Sequence, residues 1–110
     1  MNNDIAEIRS LDTLLNSLYT IINNENYSDT RYAKQRIKLM RNNIQIALSE
    51  NQNSYRDLFS NLKAEYSSMF PPKGGLTEFC IWRNDFALRQ KLNSDYQNIQ
   101  SQIKAILDRH

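Results

Sequence analysis

Valine does not occur in this chain, and histidine, cysteine and tryptophan occur once each, glycine and proline twice each. These absences exclude a good deal. The one histidine is His110 and the one cysteine Cys80, so no Cys or His pair stands at metal-ligand spacing. The Glu-x-x-His pair of helical di-metal sites is also missing. We expect neither metal nor cofactor. A lone cysteine cannot close an internal disulfide, which fits a reducing cytoplasm. No window approaches the roughly 20 apolar residues that span a bilayer. The start, MNND, lacks the basic end and apolar centre of a secretory signal.

What is present points to helix. Apolar residues make up 40% of the 110 positions, enough for a core without cross-links, and Leu, Ile, Gln, Lys, Arg and Ala dominate while Thr is scarce. This length suits a single domain over residues 1–110. The many Asn and Ile residues suit an AT-rich, low-GC bacterial genome. A net charge of +2 makes no global demand for nucleic acid or an anionic membrane.

Taken in order, residues 4–22 place Ile8, Leu11, Leu15, Leu18 and Ile22 at alternating steps of three and four, one face of an amphipathic helix widened by Ile5, Leu14, Tyr19 and Ile21. NNEN at 23–26 ends it. Ser28 is the expected N-cap of a second helix, with Tyr27 and Tyr32 at the hydrophobic-staple positions. Ala33, Ile37, Met40, Ile44 and Ala47 form its core stripe. Tyr32, Leu39 and Ile46 form another, about 125° around the axis. That arc is wider than a two-helix contact needs, so the helix is either central or meets another chain. SENQNS at 49–54 breaks the helix, and Ser54 with Asp57 resembles a capping box for a third helix over 54–69, with Tyr55, Leu58, Leu62, Tyr66, Met69 and Phe59 inward. The alternative is one helix over 28–70, about 65 Å long.

Residues 70–86, FPPKGGLTEFCIWRNDF, hold both prolines, both glycines, Trp82 and Cys80. Pro71 and Pro72 stop a helix and Gly74 and Gly75 permit positive φ. Thr77 then caps a fourth helix carrying Phe79, Trp82 and Phe86 on one side and Ile81, Leu88 and Leu92 on another, with Asp85 and Arg89 as an i,i+4 pair. A joint is expected at Asn93 and Ser94, where Ser94 and Gln97 form a capping box for a last segment using Tyr96, Ile99, Ile103, Ile106 and Leu107. The expected fold is an all-α antiparallel bundle of four to five helices, four if the last two are one bent helix.

Few residues offer chemistry. Cys80 has no histidine base nearby and reads as a buried, inert thiol, or as a redox-sensitive one if the helix N-terminus lowers its pKa. Acidic residues are scattered, so no carboxylate pair stands out for acid–base work. Lys73, Gly74, Gly75, Thr77 and Arg83 would line an anion site if the turn and the helix start converge on a phosphate or carboxylate; a capped turn explains the same residues. Phe79, Trp82 and Phe86 read as core, or as an anchor for a partner. Arg31, Lys34, Lys38 and Arg41 make a basic stripe on the second helix. It is a solvated face partly neutralised by the first helix, or a face for an acidic protein or peripheral anionic lipid. Nucleic acid is disfavoured, since no binding signature is present.

The piece LLNSLYTIINNENYSD at 14–29 resembles the start of small bacteriocin immunity proteins, which are cytosolic four-helix bundles of similar size. The resemblance implies a non-enzymatic protein that protects its producer. Arg9, Arg31 and Lys38 loosely parallel the cations with which all-helical chorismate mutases hold a dicarboxylate, although that family's motif does not line up. The sequence as a whole reads as a non-enzymatic bundle acting on a protein partner or on itself, through the aromatic segment, the Tyr32–Leu39–Ile46 stripe, or both.

Overall fold

A computed structural model describes residues 2–25, 30–50 and 52–110 of the chain. Four α-helices, α1 (Asn2–Asn23), α2 (Arg31–Ser49), α3 (Arg56–Ser68) and α4 (Phe86–Asp108), and a 3₁₀ turn (Gly75–Thr77) make up its regular structure, with no strand among the described residues. The Ser28 cap and the Tyr27 half of the staple lie outside those residues. Within them, Thr30 precedes α2 without a side-chain cap bond.

The four helices form a ring in which each packs on its neighbours in sequence and α1 closes on α4. Side-chain pairs give the sense of each contact. Arg41 reaches Asp12 at 2.9 Å while Lys34 reaches Asn23 at 3.5 Å, so α2 runs against α1. Arg36 meets Glu65 and Asn43 meets Asn61, each at 3.2 Å, so α3 runs against α2. Glu7 meets Arg109 and His110 at one end, and Glu25 meets Arg83 at the other, so α4 runs against α1. The result is an antiparallel bundle 50 × 23 × 22 Å.

The helical stripes form the core as expected. Ile8, Leu11, Leu15, Leu18 and Ile22 are fully buried, as are Ile37, Met40, Ile44, Leu62, Met69 and Ile103. Ala33, Ala47, Tyr55, Leu58, Phe59, Tyr66, Tyr96, Ile106 and Leu107 join them. α2 and α3 are separate helices, as the polar SENQNS run implies. The capping box is not made: Ser54 Oγ accepts from the Arg56 amide, and the cap position is Tyr55.

The chain from Met69 onward departs from expectation. No α-helix starts at Thr77. The 3₁₀ turn is followed by irregular chain over 78–85, and α4 begins at Phe86. Asp85 caps it, accepting a 2.9 Å bond from the Leu88 amide, so Asp85 serves as an N-cap beyond any pairing with Arg89. α4 also runs unbroken to Asp108, and the joint at Asn93 and Ser94 does not exist. Asn93 points inward instead. Its Oδ1 accepts from the Ile81 amide at 2.9 Å, and its Nδ2 donates to the Ile81 carbonyl at 2.8 Å and the Arg89 carbonyl at 2.9 Å. One side chain thus satisfies both backbone groups of a residue that has no helix or sheet to do so.

Pinned this way, residues 79–82 alternate: Phe79 and Ile81 are buried, Cys80 and Trp82 exposed. That is the two-residue period of extended chain. At the turn, the Leu76 amide donates to the Met69 carbonyl at 2.9 Å, and Thr77 Oγ1 donates to the Pro71 carbonyl at 2.6 Å. Gly75 sits at φ 55°, and a Cβ there would lie 2.8 Å from Met69 O and from Pro71 Cδ.

Candidate interaction surface

α2 shows two apolar faces. The inner one, Ala33, Ile37, Met40, Ile44 and Ala47, fills the core. On the outer one, Tyr32, Leu39 and Ile46 remain 51%, 37% and 46% exposed. Their offset of about 120° from the core stripe sets them just outside the seam with α3, where Arg36 and Asn43 already bond across to Glu65 and Asn61. α2 is therefore not wrapped on all sides. The Arg36 guanidinium lies 5.1 Å from the Tyr32 ring centroid while bonding Glu65, which holds the tyrosine in place. Tyr32 packs against Arg36 and does not act as a buried staple.

The basic stripe lies on the opposite flank, toward α1. Arg41 bonds Asp12 and Asn16, and the Asp12 hydrogen bond raises its pKa above the usual arginine value. Lys34 reaches Asn23, and the Lys38 ammonium lies 5.5 Å from the Tyr19 ring centroid. Arg31 stands exposed at the start of α2. Helix α1 therefore takes up part of this charge. Arg9 and Arg31 lie at opposite ends of the α1–α2 pair, roughly 20 Å apart along the axis. They do not converge with Lys38 on one dicarboxylate.

The aromatic trio divides. Phe79 packs edge-on against Tyr96, with centroids 5.1 Å apart. Trp82 and Phe86 are 59% and 62% exposed, and Arg89 places its guanidinium 4.2 Å and 5.3 Å from their ring centroids. Cys80 is exposed and lies outside any helix, so the buried thiol and the helix-activated thiol both fall away.

The turn residues do not gather round an anion. Arg83 turns to the end of α1 and grips Glu25 with two bonds of 2.9 and 3.0 Å, on a carboxylate that is almost fully buried. A buried charge with a bidentate partner is a strong latch. Thr77 is committed to Pro71, and Lys73 is exposed on the turn. The three-residue 3₁₀ turn supplies no helix dipole of the kind expected from Thr77.

No family model, curated protein or solved structure matches this chain.

Two other features bear on chemistry. An open groove of about 580 Å³ runs along the α3–α4 seam, with Tyr66, Phe70 and Leu107 among its walls and Lys63, Lys104 and Asp108 at its polar edge. Burial raises the Tyr66 and Tyr96 hydroxyls above the usual tyrosine pKa, so neither is poised as a base near neutrality. Asp108, the one carboxylate lining the groove, is paired with Lys104.

At the end of the bundle, His110 stacks on Phe59 with centroids 3.6 Å apart and bonds Glu7 at 2.8 Å, while Asp4 completes a group whose ligand atoms lie within 4.8 Å. Burial pushes the Glu7 carboxyl up, but hydrogen bonds and charge from His110 and Arg109 outweigh it, leaving the pKa lowered. Arg109 already supplies the cation this cluster needs. No helix among the described residues is long and apolar enough to cross a membrane.

Sequence reasoning missed Glu25, Asn93 and His110 because each acts across the fold. Asp85 was read only as a partner of Arg89, although an Asn-Asp pair before a periodic apolar run is a cap signal.

Proposed function

We propose that this protein acts without catalysis, by docking another polypeptide on the outer face of α2. One observation carries the reading. Tyr32, Leu39 and Ile46 stay exposed in line on a helix whose other face already completes a core. Solvent-facing apolar residues scattered singly are ordinary, but a rigid line of large ones led by a tyrosine is the composition of a contact surface. Trp82, Phe86 and Leu88 provide a second exposed apolar patch at the start of α4. The near-balanced charge and the Asn- and Ile-rich composition support a bacterial cytoplasm as the setting.

A photo-crosslinking residue at position 39, introduced in cells that make the protein, tests the reading. A discrete crosslinked product is expected at 39 and not at the α1 position 13. No product at 32, 39 or 46 would remove it.

A second reading has its own support. The four-helix architecture is the one that the resemblance at residues 14–29 implies, which favours an immunity-type protein guarding its producer. Unchanged bacteriocin sensitivity in cells expressing the protein would defeat it. Small-anion binding has less behind it, because Arg83 is held by Glu25.

A further inference from the structure

We infer that the groove along the α3–α4 seam is a binding site for a free monocarboxylic acid with an elongated apolar chain. The inference goes beyond the docking reading and does not depend on it, because the groove lies one seam further round the ring from α2's outer face.

α3 and α4 are the least fastened neighbours in the ring. Arg41 and Asp12 bond across α2 and α1, Arg36 and Glu65 across α2 and α3, and Arg109 and Glu7 across the end of α4 and α1. Among the described residues, no side-chain hydrogen bond or ion pair joins α3 to α4. Phe59 stacked on His110 pins the seam at one end. Because the two helices are antiparallel, Lys63 then lies level with Lys104 to Asp108, and Phe70 level with Gln97 to Gln100. Between these levels runs the groove of about 580 Å³. That size is ordinary for small-molecule sites, which often form between the helices of bundles.

The lining decides what fits. Tyr66, Phe70 and Leu107 supply apolar walls. From Phe70 to Lys63 the groove extends about 10 Å along α3, so an extended chain fills it better than a compact ring. Over that length its polar lining is Ser67, Gln97, Gln100 and Ser101, all uncharged. An apolar body therefore settles there without stripping water from a charge. Charge is confined to one end. Lys104 is paired with Asp108 at 3.1 Å, whereas Lys63 makes no ion pair among the described residues. On its other side Lys63 borders a recess shared with Asp4, Arg56 and His110, where the carboxylate and the guanidinium offset each other. The groove thus holds one unanswered positive charge at the end of an uncharged channel. One carboxylate answers it, and its charge-assisted bond to Lys63 fixes which way the chain lies. A cationic head would be repelled by the same lysine.

Titration of the full chain with decanoate at neutral pH, below the concentration at which it forms micelles, tests the site. Calorimetry should show saturable binding of one decanoate per chain, and amide NMR shifts should cluster on residues 63–70 and 97–108. Decanol and decyltrimethylammonium share the chain but carry a neutral or cationic head, and should bind at least about tenfold more weakly. Lys63→Met keeps the apolar stem; it should weaken decanoate about tenfold and leave decanol unchanged. Ser67→Phe and Ser101→Phe each place a ring in the groove from an exposed position, and should abolish binding with the parent's circular dichroism retained. Absence of saturable decanoate binding would overturn the site, as would shifts centred on Trp82 or on the outer face of α2. Equal affinity for decanol, or undiminished decanoate binding in Lys63→Met, would overturn the assignment of a carboxylate to Lys63.

Discussion

Residues 2–69 and residues 70–93 obey different rules, although both are rich in apolar side chains. In the first region, every side chain of the three-four stripes that falls within α1, α2 and α3 is buried. There the backbone satisfies itself within each helix, so hydrophobic spacing alone determines which face turns inward. In the second, the chain leaves α3 after Ser68 and satisfies much of its backbone from groups outside any helical ladder. Asn93 serves Ile81, Met69 serves Leu76 and Asp85 serves Leu88. Phe79, Trp82 and Phe86 look like a helical stripe, but an extended path from 79 to 82 buries the first and leaves Trp82 outside. A periodic signal is informative only where the local backbone has that period.

Substitutions can break this contrast or sharpen it. The largest effect is expected in the regular region: Leu15→Ala, at a fully buried site, should cost about 3–4 kcal/mol in urea unfolding. At the turn, Gly75→Ala meets both a positive φ and the Met69 carbonyl, and should cost about 2–3 kcal/mol. Gly74→Ala has open space, but φ 78° with ψ −162° is backbone left to glycine, and it should cost about 1–3 kcal/mol. Parent-like stability in either variant would contradict the positive φ of the turn.

Asn93→Ala strips the Ile81 amide and carbonyl of their partner, and about 1–2 kcal/mol should be lost. Hydrogen exchange over 79–83 should accelerate in this variant before the helices open. Unaltered exchange there would show that Asn93 does not hold the segment. Trp82→Ala should change stability by less than about 1 kcal/mol, since the ring is exposed. A loss of several kcal/mol would restore it to the core.

The smallest effect concerns pH. The folded-state pKa of Glu7 is depressed below its ordinary 4.5, so its contribution is complete above that value. It should fade as the pH drops below 4.5 through the folded value. The advantage of the parent over Glu7→Gln in thermal melts should therefore shrink on acidification, and an advantage that grew in acid would contradict the Arg109 and His110 contacts.

How much was legible follows from the same physics. The α1, α2 and α3 stripes, the break after Ser49 and the two α2 faces were readable, because each depends on neighbours three, four or seven positions away. The helix expected from Thr77 was not, because Thr77, Glu78 and the apolar spacing imitate a helix start, whereas the true cap is Asp85. Arg83 illustrates the harder case. Beside a glycine turn it suggests an anion, but its partner is Glu25, 58 positions earlier.

By itself, the sequence determined the helical class, the core-facing residues of three helices and the break after Ser49. Those follow from propensity and periodicity, which act over a few residues. Only the tertiary structure decided that α1 closes on α4 through Glu7 and Glu25, that Trp82 lies outside, and that none of the described helices covers the Tyr32–Leu39–Ile46 line. Burial is a property of what packs against a residue, and a ring of four helices leaves the outward side of each uncovered. On α2, that side is apolar.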